Sequence, residues 1–256
     1  MLLTTRASAQ ENRLNNNSPE HSEIVLFSEG LKRYKQFNFS AAIPWFKKAA
    51  EQGDAKAELY MGILSYYGLG MEQDYVEAAK WFRRSAILGN ARAQARLGGM
   101  YYSGLGDLLM DWKEALRWYR ESARQGDPRG QVRLGCMLFS GEDVVKNVAA
   151  SMQLFQQVQE KADRGDDEAQ YQLGFLYYTG IGFDQNYKAA INWYRKTEAQ
   201  GNTECLIQLA TMCEKGWGTY RNKKEAKKWY EKIISLGPHF LWYDTAEKSL
   251  NRLNGD

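Results

Sequence analysis

The feature that most constrains this chain is a glycine that returns at nearly constant intervals along its 256 residues. Successive spacings are 36, 37, 39, 36 and 36 residues, and the glycines are Gly53, Gly89, Gly126, Gly165, Gly201 and Gly237. Periods of this length are typical of solenoids, in which each unit is a small motif that buries its apolar face against its neighbours. The chain is therefore predicted to be a stack of repeated units.

Two further features keep register with that glycine. An aromatic pair closes each unit, and the pairs are Trp45-Phe46, Trp81-Phe82, Trp118-Tyr119, Trp193-Tyr194 and Trp229-Tyr230, with Leu154-Phe155 as the exception. An Asp or Asn stands seven residues before each pair, and these residues are Asn38, Asp74, Asp111, Asn147, Asn186 and Asn222. Such a register, repeated six times, is not expected by chance.

Each unit is predicted to form two helices. The first helix of one unit runs from Ala55 to Tyr67 and ends at Gly68, because glycine adopts the left-handed conformation that closes a helix. The second helix begins at Asp74, whose side chain can accept hydrogen bonds from the exposed amides of the first turn. Its aromatic pair then lies on a buried stripe at helical spacing.

The combined pattern resembles that of a known family. The run A-x-A-x-x-x-L-G-x-x-Y-x-x-G-x-G, followed by D-x-x-x-A-x-x-W-Y-x-x-A-A, resembles the Sel-one-like repeat, a relative of the tetratricopeptide repeat. The resemblance covers residues 23–253 and implies an all-α, right-handed superhelical α/α solenoid of about six stacked hairpins. It also implies a protein-binding scaffold. Members look like adaptors in signalling, secretion and envelope maintenance, and some bacterial members resemble immunity proteins that neutralise phospholipase toxins.

The repeat fixes the predicted domain boundaries. A single solenoid is expected over residues 22–253, with units that start near residues 22, 53, 89, 126, 165 and 201. In the first unit the first helix is predicted over Phe27–Phe37, and an amphipathic helix at residues 238–253 is predicted to cap the other end. Residues 1–21 do not fit the repeat and are predicted to be a disordered leader.

The third full unit departs from the pattern. It has Gly141-Glu142-Asp143 in place of Gly-x-Gly, lacks the tryptophan, and carries extra residues near Lys161 to Arg164. Two interpretations remain open: a bend or partner-specific bulge in the solenoid, or neutral drift in a middle repeat.

The leader leaves the compartment open between two interpretations. Ala7-Ser8-Ala9 resembles the small-x-small site cut by signal peptidase, although only Met1-Leu2-Leu3 stands before it as an apolar stretch. A signal-peptide remnant would place the protein in the periplasm, whereas a chance triplet would leave it in the cytoplasm. No apolar run approaches the roughly 20 residues needed to span a bilayer.

Composition argues against catalysis and metal binding. Three cysteines and two histidines offer little for a metal site or a disulfide framework. Cys205 and Cys213 are predicted to lie on one helix, roughly 12 Å apart, too far to form a bridge, and Cys136 is predicted to be a buried thiol. No nucleophile stands beside a base, so no catalytic residue, cofactor or metal ligand is predicted.

The face lined by the first helices is predicted to be concave and to hold a protein partner. The candidate residues are Lys56, Tyr60, Ile63, Tyr67, Arg92, Arg96, Tyr102, Arg129, Arg133, Phe139, Gln172, Phe175 and Tyr178. This face is basic and aromatic in its first half and acidic toward its end, where Glu168 and Glu204 take the place of arginine. Tyrosine and arginine are frequent in binding hot spots. Two alternatives stay open: the tyrosines pack between repeats, and the arginines are simply solvated.

Three functions are compatible with this face. The preferred interpretation is a non-catalytic inhibitor of the immunity type, which binds a secreted toxin such as a phospholipase effector and is a monomer when free. The alternative is a general adaptor in signalling, secretion or envelope assembly. Nucleic-acid binding is a minor alternative, because the net charge of +3 is lower than is typical of a nucleic-acid-binding protein.

Overall fold

A computed structural model of the protein describes residues 19–141 and 144–255, with side chains from Val25 onward. The leader motif Ala7-Ser8-Ala9 and residues 142–143 lie outside these described residues. Over the described ranges the chain forms thirteen helices and no β-strand. In chain order they are α1 (Pro19–Lys35), α2 (Phe39–Glu51), α3 (Ala55–Tyr67), α4 (Tyr75–Ile87), α5 (Ala91–Ser103), α6 (Trp112–Arg124), α7 (Pro128–Ser140), α8 (Val148–Asp163), α9 (Asp167–Thr179), α10 (Tyr187–Ala199), α11 (Leu206–Lys215), α12 (Lys223–Ser235) and α13 (Tyr243–Gly255).

The twelve helices α1 to α12 form six consecutive hairpins, which stack as an all-α, right-handed superhelical solenoid, and α13 follows the last hairpin. Their ends are set by the predicted signals. The Asp74 side chain accepts from the amides of Val76 and Glu77, both at 2.9 Å, and Gly68 closes α3 with a φ of +68°. Side-chain caps of the same kind start four later second helices, at Asp111, Asn147, Asn186 and Asn222. Asn38 makes no such bond.

In five of the six hairpins, a glycine of the first helix accommodates an aromatic ring of the second. A Cβ atom placed on Gly62 would lie 2.6 Å from the ring of Phe82, so no larger residue fits without displacing that fully buried ring. The same contact recurs as Gly30 with Phe46, Gly98 with Tyr119, Gly135 with Phe155, and Gly174 with Tyr194. The repeated glycine and ring therefore form the core of these five hairpins, at the close packing typical of protein interiors, whereas α11 of the last hairpin contains no glycine.

Three boundaries differ from prediction. Helix α1 begins at Pro19 and ends at Lys35, whereas Phe27–Phe37 was predicted. Its start is polar and shows no apolar periodicity, but Pro19 stands at the first helical position, which proline tolerates well. The extra residues before Arg164 lengthen α8 to 16 residues, against 13 in the other second helices. The cap helix α13 begins at Tyr243, after a turn over residues 237–242.

The C-terminal helix packs through one apolar face, as its predicted amphipathic character requires. Ala246 and Leu253 are buried, and Trp242 and Leu250 pack against the core at partial burial. Arg252 donates to the buried Glu214 of α11 at 2.6 Å. The last hairpin is therefore covered, as the exposed end of a solenoid requires.

The superhelix brings its two ends together. The amide of Leu241 donates to the carbonyl of Tyr67 at 2.9 Å, and the rings of Phe240 and Tyr67 lie 6.3 Å apart. The Lys232 ammonium sits over the ring of Phe37 at 5.3 Å. Because the last hairpin and the turn that follows it contact the first two hairpins, the inner faces of the first helices lie opposite one another.

Candidate functional site

Charged residues of the two halves meet on the inner face. Arg129 of α7 donates to Glu204 at 2.6 Å and pairs with Glu168 of α9 at 2.9 Å. Arg92 of α5 pairs with Glu168 at 2.9 Å, and both terminal nitrogens of Arg96 bond to the Glu204 carboxylate. We refer to Arg92, Arg96, Arg129, Glu168 and Glu204 as the inner ion-pair network.

The network joins residues that are far apart in the sequence. Its hydrogen bonds span 76 residues from Arg92 to Glu168, 108 from Arg96 to Glu204 and 75 from Arg129 to Glu204. The predicted division into a basic first half and an acidic second half is therefore confirmed. The charges face each other across the closed superhelix, and they neutralise one another.

Burial and charge act in opposite directions on the two glutamates. Burial alone would raise the pKa of Glu204, but the charges of Arg129 and Arg96 hold that pKa well below its usual range. Glu168 is likewise held at a lowered pKa by Arg129 and Arg92, against the effect of its burial. Both carboxylates are therefore ionised at neutral pH, because nearby positive charge outweighs desolvation.

Some predicted partner residues are covered by the opposite half of the chain. Ile63 and Tyr67 point toward the inside as predicted, but only 6 % and 8 % of their surfaces are exposed. The Tyr67 hydroxyl accepts from Arg96 at 2.9 Å, and Arg96 itself is 6 % exposed. The alternative in which Arg96 is a solvated side chain is wrong, because closure of the superhelix places Glu204 against it.

Other candidates contribute to packing. Tyr60 stacks on Phe46 with ring centroids 5.0 Å apart, and Gln172 donates to Glu168 at 2.8 Å while fully buried. Tyr178 of α9 meets Trp217, which belongs to the next repeat, at 6.1 Å. The packing alternative is therefore confirmed for Tyr178. Lys56 is exposed at the start of α3.

A second group of candidates surrounds an open cavity between α5, α7 and α9. Its volume is about 220 Å³, and it is lined by Tyr102, Tyr119, Arg133, Cys136, Met137, Ser140, Phe175 and Ile181. Arg133 is half-buried, and its guanidinium lies 5.1 Å from the centre of the Phe175 ring. Phe139 is half-buried in the adjoining cluster around Phe155. We refer to this cavity as the Arg133 cavity.

Sequence reasoning missed three exposed apolar residues in the turns that follow α5 and α7, two of the helices that line this cavity. Leu109, Met110 and Val145 lie in the turns after α5 and α7, with 86 %, 60 % and 90 % of their surfaces exposed. The sequence contains a signal for this, because Leu109 and Val145 stand two residues before a capping Asp or Asn. Two other units have an acidic residue at that position, Glu72 and Asp184. We refer to Leu109, Met110 and Val145 as the apolar edge, and exposed apolar side chains of this kind are candidates for contact with a partner.

The remaining chemistry of the described chain is sparse. Within residues 19–141 and 144–255, no cluster of His, Cys, Asp and Glu could hold a metal ion. All three cysteines are free thiols, and Cys136 is half-buried rather than buried as predicted. No helix in the same ranges is both long enough and apolar enough to cross a bilayer.

The sequence matches one repeat family along most of its length. The profile of the Sel1 repeat matches residues 25–54, 55–90, 91–127, 128–157, 167–202 and 203–238. Among curated proteins, none has a sequence that matches this chain.

Solved structures share the fold. A Sel1 repeat protein from Oxalobacter formigenes is 28 % identical, with a TM-score of 0.50 and coverage of 90 % of this chain and 92 % of that one. A protective antigen of uropathogenic Escherichia coli with an SLR fold is 27 % identical, with a TM-score of 0.49 over 96 % of this chain; the match spans 51 % of that protein's length. The immunity protein Pa5087 from Pseudomonas aeruginosa is 18 % identical, with a TM-score of 0.49 and coverage of 84 % of this chain and 81 % of that one.

Proposed function

Because the chain belongs to the Sel1-repeat family, whose solenoids are generally non-catalytic and bind proteins, we propose that it is an inhibitor of the immunity type. In this proposal it covers a single secreted toxin, such as a phospholipase effector, and is a monomer when free. The observation that carries the proposal is the exposed apolar edge of Leu109, Met110 and Val145 beside the Arg133 cavity. An apolar patch next to an arginine and tyrosines has the composition of a binding hot spot.

The closed superhelix favours one dedicated partner over many peptides. A general adaptor of this fold would hold extended segments on an open inner face, but here the inner ion-pair network occupies that face. A surface fixed before binding loses little conformational entropy in the complex, which supports high affinity for one partner. The same ion pairs weaken the nucleic-acid alternative, because Arg92, Arg96 and Arg129 already have carboxylate partners.

We further propose that the protein acts in the periplasm. The support is the Ala7-Ser8-Ala9 motif, which resembles a signal-peptidase site. Sequencing the N-terminus of the protein isolated from its native cell tests this directly. A chain that starts just after Ala9 supports export, and a chain that retains Met1 refutes it.

The function is tested by affinity purification of the tagged protein from its native cell, with any upstream coding sequence restored, followed by mass spectrometry. One stoichiometric hydrolase or toxin supports the inhibitor. Several substoichiometric partners support the adaptor instead, and recovery of no partner contradicts both.

A matched pair of bait variants locates the surface. Replacing Leu109 and Val145 by serine is expected to abolish copurification, since both side chains are almost fully exposed. Tyr220→Ser is the control, because Tyr220 occupies the same turn position in the last hairpin and is 94 % exposed. Equal loss with both baits would place the partner elsewhere.

A further inference from the structure

The Arg133 cavity has an unusual charge balance. Four arginines project from α5 and α7 to the inside, and three carboxylates, Asp167, Glu168 and Glu204, pair with three of them. Among the described residues no carboxylate pairs with Arg133, whose described contact is the face of the Phe175 ring. Of these four arginines, Arg133 is therefore the one without a carboxylate partner in the part of the chain that the structure describes.

The surroundings of Arg133 limit what can supply that counter-charge. Tyr102, Tyr119, Phe175 and Ile181 give the cavity apolar walls, so an ion pair formed there is partly desolvated. A guanidinium presents its donors in a planar fork that matches both oxygens of a carboxylate. The volume of about 220 Å³ is below the roughly 300 Å³ typical of small-molecule sites. It suits a side chain of a larger molecule.

We propose that the Arg133 cavity receives the carboxylate of an aspartate or glutamate side chain from a continuous segment of the protein partner, with neighbouring apolar residues of that segment on the exposed edge. This inference rests on the proposed function and specifies the chemistry of the partner. The charge of Arg133 supplies the complementarity, and the Tyr and Phe rings supply the apolar contact.

The position of the cavity favours an Asp or Glu side chain over the terminal carboxylate of a chain. Tyr102 and Ser140 stand at the ends of α5 and α7, directly before the turns that carry Leu109 and Val145. Val144, in the second turn, packs against the cluster that contains Tyr119 and Met137 of the cavity wall. The cavity therefore opens where two apolar turns follow, and a segment that crosses both continues beyond the carboxylate on each side.

The experiment selects a displayed library of random linear peptides, with both ends blocked, on the immobilised full-length protein. Enriched sequences are expected to carry an Asp or Glu between apolar residues. Changing that acid to its amide is expected to weaken binding about 10- to 100-fold. Arg133→Gln is expected to weaken the unchanged peptide by a similar factor, and the two changes together are expected to add little beyond either one.

The controls separate loss of the site from loss of the fold. Arg133→Lys keeps the charge but not the planar fork, so it is expected to bind between the wild type and Arg133→Gln. Arg120→Gln removes an exposed arginine of α6 and is expected to bind as the wild type. Thermal unfolding of each variant should match that of the wild type within a few degrees. Enriched peptides that lack an acid, independent effects of the two changes, or an empty selection would each overturn the proposal.

Failure of this site and failure of the proposed function are distinguishable. If the native partner copurifies equally well with the Arg133→Gln variant, the carboxylate site is wrong and the inhibitor stands. If acidic peptides depend on Arg133 but no single partner is recovered from the native cell, the site stands and the inhibitor is wrong.

Discussion

Arg96 and Arg133 occupy the same position in successive repeats, 37 residues apart, and have different surroundings. Arg96 is 6 % exposed and bound to Glu204 and Tyr67. Arg133 is half-buried over Phe175 beside an open cavity. The comparison teaches that the repeat motif presents an arginine to the inside, whereas the hairpin that lies opposite decides whether it closes the superhelix or remains available to a partner.

The region around Arg96, which we call the closed end, is held by the charged groups of the inner ion-pair network, and each charge depends on its partner. A buried ion pair adds little net stability over apolar residues of the same size, because desolvation offsets attraction, but removal of one member leaves the other charge uncompensated. The inner ion-pair network is therefore best understood as the contact that fixes which hairpins face each other. The Arg133 cavity lies at the margin of this network, and none of its described lining residues carries a carboxylate.

The largest expected effect comes from Arg96→Ala. It leaves the buried carboxylate of Glu204 with Arg129 as its remaining arginine partner among the described residues, so we expect a loss of about 3 kcal/mol in the free energy of unfolding, measured by urea denaturation. Arg133→Ala is the matched variant and is expected to cost less than about 1 kcal/mol, because no buried carboxylate loses its partner. Equal losses in the two variants would contradict the distinction between the closed end and the cavity.

The second prediction concerns acid stability. The folded pKa values of Glu168 and Glu204 are lowered, so their contribution is present above the unfolded value of about 4.3 and is lost as pH falls toward the folded values. A single carboxylate of this kind accounts for about 2 to 3 kcal/mol. The wild type is expected to lose stability steeply below about pH 4.3.

The double variant Glu168→Gln, Glu204→Gln tests that assignment. It is expected to be less stable than the wild type at pH 7, because the arginines lose their counter-charges. Between about pH 4.3, the ordinary glutamate pKa, and about pH 2, its free energy of unfolding should fall less than that of the wild type. Parallel pH profiles of the two proteins, measured by urea denaturation at each pH, would show that other carboxylates govern acid unfolding.

The hairpins could be predicted from the sequence because their signals are local. Gly68 ends α3 and Asp74 begins α4 as predicted, since both act on backbone groups within a few residues. The glycine and ring at Gly62 and Phe82 are likewise partners within one hairpin. A period that repeats such signals six times identifies the fold with little ambiguity.

The inner ion pairs could not be predicted from the sequence, although it shows which residues are charged. Arg96 and Glu204 are 108 residues apart, and their meeting depends on the small rotation between hairpins summed over several repeats. The total rotation depends on many residues at once, so no single residue of the sequence predicts it. The opposite charges at matching positions of the two halves are the available clue, but they fit a concave face that holds a partner equally well.

The third prediction tests closure of the ends with two glycines. A Cβ on Gly68 would overlap the carbonyl of His239, whereas a Cβ on Gly53 would meet nothing within 4 Å, and both residues have positive φ. Gly53→Ala is expected to cost about 1 kcal/mol from backbone strain alone. Gly68→Ala is expected to cost about 1 to 2 kcal/mol more, because it also displaces the C-terminal turn.

Hydrogen exchange provides the local measurement for that prediction. The amide of Leu241 donates to the carbonyl of Tyr67, so its exchange is expected to accelerate in Gly68→Ala and to stay unchanged in Gly53→Ala. Unchanged exchange in both variants would mean that the ends are not held by this contact.

The smallest effect is expected at Cys136, in the wall of the Arg133 cavity. Burial raises the pKa of its thiol to about 11, and the charge of Arg133 acts in the opposite direction. Because the thiolate is the reactive form, Arg133→Gln is expected to slow alkylation of Cys136 by iodoacetamide about twofold at pH 8. Arg120→Gln, which changes an exposed arginine on α6, is expected to leave the rate unchanged.

Cys205 and Cys213 are fully buried and are expected to react only after unfolding. A faster reaction in Arg133→Gln would mean that Arg133 shields the thiol by covering it, and that the cavity is less open than its lining indicates.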